Sequence, residues 1–66
     1  MPTPIDINRT ARQIAISLIK DELEANGYKL CQLELYEINQ LIKDVLIAEP
    51  QMYIDAEQQL NQEINQ

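Results

Sequence analysis

Residues 3–27, TPIDINRTARQIAISLIKDELEANG, decide how the chain is read, because they hold a start signal, a stop signal and an apolar pattern of helical period between them. Thr3 is a good N-cap and Pro4 suits the first helical position. Asp6, three residues after the cap, places a carboxylate where it accepts from an unpaired amide and complements the helix dipole. At the other end Gly27, after Asn26, is free to take the left-handed backbone that ends a helix. The reading is a helix over 4–26. Ile7, Ala11, Ile14, Ala15, Leu18 and Ala25 form one face of it, flanked by Ile5, Ile16, Ile19 and Leu23. That sector spans roughly 200°, against the ~100° stripe of an ordinary surface helix. Arg12 and Glu22 are its only charges, and Arg9, Gln13, Ser17, Lys20 and Glu24 form the polar side.

Two shorter helices follow. Cys31 and Glu34 stand in the cap and third positions of a weak capping box, which sets a second helix at about 32–48. Its strong face is Leu35, Ile38, Leu41, Ile42, Val45, Leu46 and Ala48, and Leu33, Tyr36 and Ile47 lie on the far side with Gln40 and Lys43. Apolar residues on two sides predict that this helix is central. Pro50 opens a third helix at about 50–64 whose stripe is Tyr53, Ala56, Leu60 and Ile64; the amide-rich end, 58–66, is expected to fray in isolation. The fold class is therefore all-α, a single domain made of a helical hairpin and a third helix returning across it. Ile14, Leu18, Ile38, Ile42 and Val45 are its expected core.

Sixty-six residues bury only about 60% of their unfolded surface when they fold alone. Such small chains are stabilised by disulfides, a metal or oligomerisation. One cysteine excludes an internal disulfide, and with no histidine there is no reason to expect a zinc site. Oligomerisation, as a homodimer, is the expectation. The formal charge is -6 and uneven: residues 1–20 hold one acid against three bases, 21–44 hold six against two, and the remainder adds four acids and no base. This field opposes phosphate backbones and anionic membranes, so direct binding to nucleic acid or membrane is not expected. No basic stretch opens the chain ahead of Ile14–Ile19, and Val45–Ala48 is the longest unbroken apolar run, far short of the ~20 residues a span requires. These features point to the cytoplasm.

The residues that would carry chemistry are sparse. The absence of histidine removes the commonest general base, and the single glycine ends a helix, so no phosphate loop can be drawn. No enzyme activity, cofactor or metal is expected. Asp21, Glu22 and Glu24 point in different directions on a helix and read as a solvated end; Glu34 and Glu37 read as a surface pair. Cys31 reads as an inert, buried thiol. Arg9 and Arg12, three residues apart on one helix, could hold a phosphate or an acidic partner, with an Asp6–Arg9 pair as the plainer alternative.

Two surfaces stand out as partner-binding. On the first helix Ile16, Ile19 and Leu23, edged by Arg12 and Glu22, form a flank that one antiparallel neighbour does not readily cover together with the Ile14–Leu18 face, so it is assigned to a subunit interface. On the second, Tyr36, Gln40, Lys43 and Ile47 resemble an aromatic anchor with a polar surround. The expected function is a non-catalytic protein-binding module, a small acidic regulator, adaptor or inhibitor working through helix faces, with itself or a second protein as partner. Two other classes fit the composition. One is an acidic nucleic-acid mimic using Asp44, Glu49, Asp55, Glu57 and Glu63, and the other is a structural subunit of a larger assembly such as a viral particle.

Overall fold

The computed structural model describes residues 2–64, the side chain of residue 64 excepted. Three α-helices make up the fold: α1 (Pro4–Ala25), α2 (Leu35–Ala48) and α3 (Gln51–Ile64), with a single 3-10 turn, Leu30–Gln32, between the first two. No strand occurs among the described residues. The notional contribution of Ile64 to the α3 stripe, and residues 65–66 of the amide-rich end, lie outside them.

Helix α1 begins as its sequence dictates. The Asp6 amide donates to Thr3 Oγ1 at 3.2 Å and the Thr3 amide to Asp6 Oδ2 at 3.4 Å, a reciprocal capping box. Its end is a Schellman motif: the Tyr28 amide donates to the Leu23 carbonyl at 2.8 Å and the Gly27 amide to the Glu24 carbonyl at 3.1 Å. Gly27 sits at φ +83, the left-handed conformation this closure requires. Asn26 Nδ2 donates to the Glu22 carbonyl at 2.9 Å, satisfying another acceptor of the last turn.

Helix α2 starts three residues later than the Cys31 cap implies. Cys31 lies within the 3-10 turn, and Glu34 is the N-cap, with its amide donating to Glu37 Oε1 at 3.1 Å. A thiol accepts backbone hydrogen bonds poorly, whereas the Glu37 carboxylate reaches back well. Pro50 has no amide to pair, so α2 ends and α3 begins around it; the Glu49 amide closes onto Val45 at 2.8 Å, while the Glu49 carbonyl accepts from Met52 at 3.1 Å.

The central helix is α1, not α2. It packs against both α2 and α3, more extensively with α3, and the contact of α2 with α3 is minor. Pro50 and Tyr53 sit beside Asn8 and Arg12, and Gln59 beside Gln13 and Ser17, so α3 runs back along α1 in the same direction. The wide apolar sector of α1 is thus shared by two neighbours within one chain. Ala11, Ala15 and Ala56 are fully buried, and their short side chains let α1 and α3 approach closely. Ile19, Ile42, Leu46 and Met52 complete the core, and Ile7, Ile14, Ile16, Leu23, Leu30, Ile38 and Val45 pack around it.

Two expectations about the core are corrected here. Ile42 is central as expected, at 1% exposed, but Leu18 is 36% exposed, and Ile14, Ile38 and Val45 are half-buried. The line facing inward runs through Ala11, Ala15 and Ile19, so Ile19, assigned to an intersubunit flank, is 5% exposed in the single chain. The reason is geometric: α2 and α3 meet α1 on either side of its alanine line, and that line, rather than the one with the largest side chains, becomes the middle.

The molecule is long and thin, 38 × 20 × 18 Å with a radius of gyration of 13.0 Å, against about 11 Å for a compact domain of this length. Elongation leaves apolar side chains uncovered. Ile5, Leu35, Tyr36 and Ile47 each expose more than 70% of their surface, and Tyr28 exposes 60%.

Candidate interaction surface on α2

Only one stripe of α2 faces α1. Ile42 and Leu46 are buried there, and Asn39 Oδ1, on the same side, accepts from Arg12 Nη2 at 3.1 Å. The stripe a third of a turn away is Tyr36, Gln40, Lys43 and Ile47, and all four residues are exposed. Their spacing of four, three and four keeps them in one line along the helix. Tyr36 is 73% and Ile47 72% exposed, so the line has an apolar residue at each end and polar residues in the middle.

Each end of the line borders a depression. At the Tyr36 end the floor is completed by Glu37 and Leu41, in a hollow of about 410 Å³. At the Ile47 end a cleft of about 350 Å³ forms where all three helices meet, lined by Arg12, Lys43, Ile47, Pro50 and Tyr53 among others. No carboxylate lines this cleft. Asp44, the acid nearest in sequence to Lys43, accepts from Gln40 Nε2 at 3.0 Å, and Asp55 on α3 accepts from Gln51 Nε2 at 3.3 Å. Among the described residues Arg12 donates to the neutral Asn39, a hydrogen bond that holds its guanidinium in place without an opposing charge.

The residues singled out in the sequence therefore separate into two groups. Tyr36, Gln40, Lys43 and Ile47 share one open face, and the fold adds Arg12 to it from α1. Ile16 and Leu23 are half-buried against the core and Ile19 is within it, so these three are occupied by the chain's own helices. Glu22 is exposed on α1, apart from the open α2 line. Pro50 and Tyr53 belong to the surface and went unassigned; the sign in the sequence was their position three and six residues after Ile47, across a two-residue linker that keeps α3 beside the end of α2.

A larger depression, about 710 Å³, lies at the other end of α1, where Tyr28, Leu30, Cys31, Leu33 and Ile38 surround the turn. Cys31, expected to be buried, is an exposed free thiol, because the 3-10 turn carries it away from the core. Among the described residues no helix is long and apolar enough to cross a membrane.

The chain matches no model of a known protein family, no curated protein and no solved structure.

Proposed function

We propose that this protein is a non-catalytic protein-binding module whose working surface is the outer face of α2 with the cleft at its end. The observation that carries the reading is the exposure of Tyr36 and Ile47, each above 70%, on one line of a helix whose core line, a third of a turn away, is already committed to packing. Burying large aromatic and aliphatic side chains is what drives association, at about 25 cal/mol per Å² of apolar surface removed from water. A line with anchors at both ends and polar groups between them has the composition of a contact surface rather than of a substrate site. Regulation, adaptation or inhibition by presenting this helix face is the corresponding biochemical role.

The test is site-specific photo-cross-linking in cells that express the protein. A benzophenone amino acid at position 36 or 47 should give discrete protein adducts. The same group at position 13 or 57, exposed positions on α1 and α3, should give none. Adducts from 13 and 57 but not from 36 and 47 would refute the assignment of the face, and no adducts anywhere would refute the function.

A further inference from the structure

Two of the chain's five bases converge on one cleft, in a molecule whose acids number eleven. Arg12 of α1 and Lys43 of α2 both line the hollow of about 350 Å³ where the three helices meet, and among the described residues no carboxylate does. Asp44 and Glu49, the acids close to it in sequence, lie outside its lining, and Asp44 accepts from Gln40 instead. Two like charges on one cleft repel each other, and an anion placed between them offsets that repulsion.

The two cations are not equivalent. The Arg12 guanidinium is half-buried and tethered to Asn39 at 3.1 Å, which uses one of its five N–H donors and leaves a fixed fork of the shape a carboxylate matches. Lys43 is exposed and brings a mobile point charge from the opposite wall. Apart from Asn8, the remaining walls are apolar: Leu46, which is buried, with Ile47, Pro50 and the Tyr53 ring. A mostly apolar hollow with a few placed polar groups has the make-up of a small-molecule site, and its volume falls at the low end of the ~300–1,000 Å³ such sites span. A bare phosphate would satisfy the cations and leave those walls in water.

We propose that the cleft binds a small organic carboxylate, with its anionic group between Arg12 and Lys43 and its apolar body, an aromatic ring or branched alkyl group, against Leu46, Ile47 and Pro50. The cleft is one end of the surface assigned above to a protein partner, but its occupancy needs no partner.

Titration of the isotope-labelled chain with hydrocinnamate and with isocaproate, followed by nuclear magnetic resonance, tests the site. Signals of Arg12, Ile47 and Tyr53 should shift and saturate, with half-saturation on the order of a few millimolar for ligands this small. Lys43→Gln and Arg12→Gln should each weaken binding at least fivefold while the circular dichroism stays helical, and Lys20→Gln, which removes an exposed charge elsewhere on α1, should leave it unchanged. Hydrocinnamyl alcohol, the neutral counterpart, and inorganic phosphate should each bind at least fivefold more weakly than hydrocinnamate. Equal binding of the alcohol or of phosphate would overturn the carboxylate as ligand. No saturable shift with either acid, or binding indifferent to Lys43→Gln, would overturn the site, and photo-cross-linking at position 36 would still test the protein-binding reading by itself.

Discussion

Ile42→Ala separates the packing described here from the one that large side chains alone suggest. Ile42 is the one large side chain among the described residues that is almost fully buried, at 1% exposed, and it belongs to the same core cluster as Ala11 and Ala15 of α1. The substitution removes three carbons from the interior, about 2.4 kcal/mol at ~0.8 kcal/mol each. The cavity left between rigid helices adds to this, bringing the loss to about 3–4 kcal/mol, within the range of such truncations. A domain of 66 residues has about 3–10 kcal/mol in all. The variant should therefore unfold at a much lower urea concentration, or be largely unfolded without urea. Leu18→Ala is the control. Leu18 belongs to the expected core but is 36% exposed, so it should lose about 1 kcal/mol. Urea titrations followed by far-ultraviolet circular dichroism, at one fixed protein concentration, measure both. Equal losses, or a larger loss for Leu18→Ala, would refute the arrangement of α1 between α2 and α3.

Ile19→Asp should abolish folding altogether rather than yield a folded monomer, because Ile19 is 5% exposed within the single chain and the carboxylate would be buried without a partner; a folded monomer by circular dichroism and light scattering would return Ile19 to a subunit interface. Gly27→Val should cost about 1 kcal/mol or more in thermal or urea unfolding. Nothing lies within 4 Å of where its Cβ would stand, so the cost comes from the left-handed backbone alone and Gly27→Asn should recover part of it. Thr3→Ala should cost about 1 kcal/mol through loss of the reciprocal cap at α1, and an unchanged midpoint would show that the cap does not form.

Local signals in the sequence were sufficient for the helices. Thr3 with Asp6, Gly27 and Pro50 each act within one turn of themselves, so their effects do not depend on what the rest of the chain does. The start of α2 was harder because two candidates compete within four residues, and the Glu34–Glu37 arrangement outranks a thiol cap. The arrangement of the helices was not legible for α1, whose apolar sector is broad enough to serve two neighbours or one neighbour and a second subunit. Ranking its positions by side-chain size favoured Ile14 and Leu18. Closeness of approach favours small residues instead, and Ala11, Ala15 and Ala56 held that information. The α2 face was legible because its periodicity is separate from the core stripe on the same helix. Arg12 joined it only through the hydrogen bond to Asn39, a contact between residues 27 positions apart that no local pattern encodes.

Paramagnetic relaxation of side-chain signals by a neutral, soluble gadolinium chelate tests the central claim, that the fold commits one line of α2 to the core and leaves the line beside it open, most directly. The Tyr36 ring and the Ile47 methyl groups should relax strongly, and Ile42 and Leu46 should be protected. Protection of Tyr36 and Ile47 equal to that of Ile42 and Leu46 would contradict it.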